Sequence, residues 1–215
     1  MPFKDRAEAG RWLAQALLQY ADAHPIILAL PRGGVPVAVE VAATLQAPLD
    51  LVLVRKIGVP GHEELAMGAV VDGATPLTVR NEDIIRQTNI GEEAFAAARD
   101  RELAEIKRRR QRYIGTRARA DIAGRVAIII DDGIATGASA RAALQVLRLR
   151  EPKLLILAVP VGASDTIAAM RAEADAIVCI EEHAAFGAVG AYYADFRQIE
   201  DDEVIALLKR PPCGS

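Results

Sequence analysis

Aromatic side chains are scarce. Of 215 residues, one is Trp, four are Tyr and four are Phe, although 52% of the chain is hydrophobic. The apolar mass is therefore aliphatic and small, with 41 alanines. Four of the nine aromatics, Phe186, Tyr192, Tyr193 and Phe196, nevertheless crowd into one short stretch near the C-terminus. Long apolar runs are missing too. None approaches the roughly 20 residues of a membrane-spanning helix, and MPFKDRAEAGRW at the start lacks the apolar stretch of a secretory signal. The two cysteines, Cys179 and Cys213, make no disulfide framework and fit a reducing cytosol, so a cytoplasmic location is expected. A net charge of −3 and a pI near 5.7 argue against a dedicated nucleic-acid binder. With 26% charged residues beside this apolar content, the chain is expected to fold.

The charge is uneven. Arg99 to Arg125 carries ten basic against four acidic residues, including KRRRQRY at 107–113. A helix over about 92–113 accounts for this: it starts acidic at Glu92-Glu93 and ends basic, as the helix dipole favours. Arg101/Glu105 and Glu105/Arg109 are spaced for surface ion pairs. The apolar stripe of this helix (Phe95, Leu103, Ile106, Tyr113) is thin, which predicts little core contact.

What is present is a rhythm. IILAL (26–30), LDLVLV (49–54), VAIII (126–130), LLILAV (154–159) and AIVCI (176–180) are short continuous runs rich in Ile, Val and Leu, as strands buried on both faces should be. Helical patterns separate them: 35–46 after Gly33-Gly34, 139–150 with Ser139 as cap, and 164–174 opening Ser-Asp-Thr. This predicts an α/β fold: an open, mainly parallel five-stranded sheet with flanking helices, core about 24–182, ligands at the C-terminal strand ends. Residues 56–125 break the rhythm as a loop and long-helix insertion, with a short strand at 77–80. We read one domain over 1–215.

The most informative segment is RVAIIIDDGIATGASARAAL (125–144). A buried strand delivers Asp131 and Asp132 at its end, and the small loop Gly133-Ile134-Ala135-Thr136-Gly137-Ala138-Ser139 then runs into a helix. Small side chains let backbone N–H groups close on a ligand, and a helix N-terminus favours an anion. Acids beside such a cradle suit a sugar phosphate. Neither a Walker loop nor a GxGxxG is present.

IIIDDGIATGAS resembles the signature of type I phosphoribosyltransferases, which bind 5-phosphoribosyl-1-diphosphate (PRPP). The resemblance implies the type I fold with a small hood, and assigns Asp131 and Asp132 to the ribose hydroxyls and residues 133–139 to the 5′-phosphate. LPRGGVPVA agrees: in the family the equivalent turn, here Arg32, Gly33 and Gly34, binds pyrophosphate and often holds a strained or cis peptide. LVLVRKIGVPGHEELAMG (51–68) resembles the V-R-K and mobile-loop stretch of adenine phosphoribosyltransferases. It implies Arg55 and Lys56 facing the pyrophosphate, with 57–68 as a closing lid. Where that loop carries Glu-Tyr, this chain has Ala66-Met67, leaving Glu63, Glu64 and His62 as the nearby candidates to assist the acceptor. Ala135 stands where hypoxanthine–guanine enzymes place an acid, which disfavours a 6-oxopurine.

LPRGGVPVA, VRK-G-PG and FGAVGAYY together resemble a subgroup of bacterial phosphoribosyltransferases whose acceptor the resemblance does not supply. The implied chemistry is displacement of pyrophosphate from ribose C1 by a nitrogen nucleophile, most simply a nucleobase. Mg²⁺ would arrive on PRPP, touching Asp131 and Asp132 without a dedicated cage. Phe186, Tyr192 and Tyr193 become acceptor-reading candidates in a hood at 183–210, and family analogy implies a homodimer. The rival expectation is a PRPP- or nucleotide-sensing regulator that contacts RNA. A phosphatase using Asp131 as nucleophile fits poorly with a phosphate loop directly after the acids.

Overall fold

Apolar runs that lie buried on both faces must split their side chains between two cores, and those at 26–30, 126–130 and 155–159 do, whereas AIVCI at 176–180 forms a sheet edge and is only half-buried. A computed structural model describes residues 2–73 and 76–209; Cys213 lies outside them. The chain begins with a helix that the reading above did not include, α1 (Arg6–Leu17), capped by Asp5, whose carboxylate accepts from the Glu8 amide at 2.8 Å. There follow β1 (Ile26–Ala29), α2 (Gly34–Thr44) and β2 (Leu49–Leu51). The excursion comprises β3 (Val54–Val59), β4 (His62–Val71), β5 (Leu77–Arg80), α3 (Glu82–Gln87) and α4 (Glu92–Ile114). The chain returns through β6 (Val126–Ile130), α5 (Ala138–Arg148), β7 (Leu154–Ala163), α6 (Ser164–Met170), β8 (Ala176–His183) and α7 (Asp201–Leu208).

Strands β2-β1-β6-β7-β8 form one five-stranded sheet, parallel at every pairing. Ile27, Ala29, Ile128, Ile130 and Ile156 pack into one core with α1 and α2. Their neighbours Ile26, Leu28, Ala127, Ile129 and Leu157 join the other, with α5 and α6. This period-2 division is why the strands read as unbroken hydrophobic runs. Among the described residues, no helix is long and apolar enough to cross a membrane.

Five local expectations need correction. LDLVLV is not one strand: β2 ends at Leu51, and Val54 opens β3 in a second sheet, antiparallel, of order β3-β4-β5. The expected loop over 57–68 is mainly the β3–β4 hairpin, whose solvated outer half hid its alternation: only Met67, Val70 and Val71 of β4 are buried. Helix α4 is more than a surface rod, since Phe95, Ala98, Ile106 and Tyr113 enter the first core. Its basic run is largely paired, Arg108 and Arg109 with Glu105, Arg110 with Asp72 and Arg112 with Asp201; no Arg101–Glu105 pair is seen among the described residues. Finally, Ser139 does not cap α5 and Ser164 does not cap α6; the caps are Gly137 and Ala163, without side-chain bonds.

Gly137 has φ +68°, and a β-carbon there would collide with the terminal methyl of Met170. Left-handed backbone costs an L-residue roughly 1–2 kcal/mol. Gly137→Ala should therefore lower unfolding stability by at least about 1 kcal/mol in urea titration, and an unchanged midpoint would show that the turn relaxes freely.

Candidate functional site

Three chain segments meet at the C-terminal ends of β1 and β6. The buried run VAIII holds β6 rigid up to Ile130, so Asp131 and Asp132 emerge at a fixed point. The Asp131 carboxylate accepts the Asp132 amide at 2.9 Å. Burial, then the Asp132 charge, push the Asp131 carboxyl well above the usual carboxylate range.

The loop that follows is pinned at its one bulky residue. Ile134 is buried and makes a parallel bridge with Gly162; its amide donates to Val161 O, and its carbonyl accepts from the Ala163 amide, both at 2.9 Å. The Thr166 hydroxyl donates to Ala135 O at 2.7 Å. With Ile134 and Ala135 tied to β7 and α6, Thr136, Ala138 and Ser139 remain exposed at the start of α5. The loop is thus a fixed rim of hydroxyls and amides.

The second segment is the turn after β1. The Pro31–Arg32 peptide is cis, as the resemblance implied. The Leu30 amide donates to Ile130 O at 2.9 Å, which locks this turn to the acidic strand. Gly33 is required by close approach, because a β-carbon there would overlap the Asp132 carboxylate. Arg32 is about one-third exposed and points toward Glu200 and Asp201, at 3.6 and 3.8 Å.

The third segment lies outside the motifs that pointed to the site. Arg6, from the first turn of α1, donates from Nε to Asp132 Oδ2 at 2.7 Å and from Nη1 to Arg197 O at 2.9 Å. Its guanidinium lies 3.8 Å from the centre of the Phe196 ring. The Tyr193 hydroxyl donates to Asp132 O at 2.6 Å. A capped amphipathic helix at 6–17 was readable from Asp5 and the spacing of Ala9, Leu13 and Leu17; Arg6's partner, 126 residues away, was not.

The excursion supplies a flank and divides the expected basic pair. Lys56 lines a cleft with Thr136, Ala138 and Arg141, next to the small loop. Arg55 instead pairs with Glu102 of α4 at 2.7 Å. Adjacent residues on a strand face opposite ways, so only Lys56 meets the loop. Glu63 and Glu64 are exposed on β4 beyond the hairpin turn, with Glu64 3.3 Å from Lys56; His62 is exposed as well.

The aromatic cluster also divides. Tyr193 is 5% exposed and packs on Phe3 and Phe196, which leaves no open ring face toward an acceptor and corrects its candidacy. Phe186 stacks on Tyr192 at 4.9 Å, and His183 approaches the Tyr192 ring at 4.5 Å; all three are half-buried. Burial pushes the Cys179 thiol up to about 12, so it is no ready nucleophile. Among the described residues no three His, Cys, Asp or Glu side chains gather as a metal cage.

The parallel sheet, the acidic strand end and the small loop opening a helix define a class, and comparison agrees. The chain belongs to the phosphoribosyl transferase domain family, whose model matches residues 4–197. Two Mycobacterium tuberculosis proteins, from strains H37Rv and CDC 1551 and provisionally named phosphoribosyl transferases, are 48% identical over 97% of this chain. The chain spans 46% of their length, about half. The crystal structure of TT1426 from Thermus thermophilus superposes with a TM-score of 0.84 at 40% identity, covering 97% of this chain and 98% of that one. A purine phosphoribosyltransferase from Pyrococcus horikoshii shares the fold, with a TM-score of 0.50 at 15% identity over 91% and 93% of the two chains.

Proposed function

We propose that this chain transfers the phosphoribosyl group of PRPP, with Mg²⁺, to a nitrogen nucleophile, a nucleobase other than a 6-oxopurine. The observation that carries this reading is the junction of Gly33 with Asp132, which puts the expected pyrophosphate turn against the expected ribose acids. Asp131 and Asp132 would accept from the ribose hydroxyls. The amides of 133–139, with the Thr136 and Ser139 hydroxyls, would hold the 5′-phosphate at the start of α5. The 30–34 turn would take the pyrophosphate, with Lys56 at its flank. In the reaction the C1–O bond to pyrophosphate breaks, a C1–N bond forms, and the nitrogen releases a proton. These groups act by positioning and by charge fixed where the leaving group gains it.

Two adjacent carboxylates that repel each other fit a divalent cation bringing most of its oxygen ligands with the substrate. Asp131 and Asp132 would hold it, and when bound it would supply charge neutralisation of the pyrophosphate. Phe186 and Tyr192, at the end of the sheet, are the aromatic faces offered to an acceptor. The assembly is a homodimer in this proposal, on family resemblance alone, and its location is the cytoplasm.

The test is pyrophosphate release from PRPP and Mg²⁺ across a panel of nucleobases and amines, beside the melting temperature with and without PRPP. At least one acceptor should raise release above hydrolysis. If none does while PRPP still raises the melting temperature, the chain is a sensor of PRPP; if PRPP does neither, the site assignment fails.

A further inference from the structure

At the β2 edge of the sheet, cations and acids do not balance. Two acids are buried there, Asp50 on β2 and Asp72 just after β4. Asp72 takes Arg110 of α4 on one carboxylate oxygen and Arg119 on the other, and its backbone carbonyl accepts from Arg150 Nη2 at 2.8 Å. Asp50 takes the Leu51 amide on one oxygen and the Ala120 amide on the other, both at 2.8 Å, with Arg117 3.5 Å away. Among the described residues, four guanidiniums thus meet two carboxylates whose oxygens already accept bonds.

Two of the four lack an acceptor of their own. Arg150 is half-buried, and its one hydrogen bond goes to a carbonyl rather than a carboxylate. Burial pulls its guanidinium below the ordinary value; Asp72 and Asp50 oppose this, while Arg119 and Arg110 add to it. Arg110 is 8% exposed, and its Nη2 is buried without a hydrogen-bond acceptor among the described residues. The nearest acid to that nitrogen is Asp50, whose Oδ2 at 3.7 Å is too far for a hydrogen bond. Arg110, Arg119 and Arg150 line one small void of about 10 Å³, with Leu28, Ile122 and Leu147 as its apolar wall.

We propose that this void is a halide site, in which a single chloride accepts from Arg110 Nη2 and from the Arg150 guanidinium and offsets the excess positive charge. The size selects a monatomic ion, because a void of about this volume has room for one water-sized particle. Phosphate, sulfate and organic acids are excluded on that ground, and a cation by the surplus of guanidiniums. A water could take the Nη2 hydrogen, but it would leave the charge uncompensated, and a buried charge costs far more than a buried neutral polar group. The groups involved come from α4, β2, the end of β4 and the segment after α5. Only the folded chain assembles them, so the ion would fasten the excursion to the sheet. Nothing in this inference depends on the PRPP reading.

Bromide, the heavier halide, is the probe. Urea denaturation is followed in sodium bromide and in sodium gluconate at equal ionic strength, so that screening of surface pairs is the same in both. Once bromide exceeds its dissociation constant, the folding equilibrium constant should rise about tenfold for each tenfold increase in bromide, relative to gluconate. Arg150→Met removes the surplus charge and one donor while leaving the Arg110–Asp72 pair, and the difference between the salts should vanish in it. Crystals of the wild-type chain soaked in sodium bromide should show an anomalous peak in the void, within hydrogen-bond reach of Arg110 Nη2. Density there without anomalous signal means a water and overturns the proposal. An equal bromide response in wild type and Arg150→Met overturns it too, as a general salt effect. The wild-type crystal decides alone if Arg150→Met does not fold.

Discussion

Asp131→Asn should take away most PRPP binding, by a factor of at least about ten, while making the ligand-free chain more stable at neutral pH. The two effects share one cause. Asp131 sits where burial and the Asp132 charge oppose its ionisation, so its folded value lies above the ordinary 3.8. The folded state then binds more protons than the unfolded one between 3.8 and the raised value. The favourable contribution is whole below the unfolded value and is lost as pH rises through the folded value. Asparagine keeps the oxygen that accepts the Asp132 amide and carries no charge to bury. Melting temperatures from mildly acidic to neutral pH should therefore slope downward for wild type and flatten for the variant, while calorimetry with PRPP shows the lost affinity. Equal PRPP affinity in the two proteins would remove Asp131 from the ribose site.

Arg110→Met should be the most damaging single change to stability, at about 3–5 kcal/mol, because removing one partner of a buried pair strands the other's charge. Arg110 is 8% exposed on α4 and donates to Asp72 Oδ2 at 2.9 Å; Asp72, 6% exposed, takes Arg119 on its other oxygen. Asp50, 4% exposed at the edge strand, lies 3.7 Å from the same guanidinium. The network ties α4, the end of β4 and β2 to one another. Urea denaturation gives the loss directly, and a midpoint within experimental error of wild type would mean that Arg119 neutralises Asp72 alone.

The sheet and the acidic loop were legible for one reason: their determinants are contiguous. A strand buried on both faces writes itself as an unbroken apolar run, and Asp131 to Ser139 are successive residues. What escaped depends on distance. Arg6 in the first turn of a helix reads as a solvated cation, and nothing local names Asp132 as its partner. Arg110 is one of four basic residues in a row, and only the fold shows that it faces inward while Arg108 and Arg109 face Glu105. The β3–β4 hairpin escaped because its outer half buries nothing, so no period of two appears in HEELA. Lys56 and Arg55 looked like a pair because they are neighbours; the pleat of β3 separates them.

The bond from Tyr193 to Asp132 bears on the order in which the molecule can be made. Asp132 is bonded by a group 61 residues downstream and by Arg6, 126 residues upstream. The strands of the sheet are complete at His183. A growing chain could thus pair its central strands while the acids still stand loose, since closing such long loops is an entropic cost met late. The geometry of the acids is thus completed by segments on either side of the sheet in sequence, Arg6 before its first strand and Tyr193 after its last.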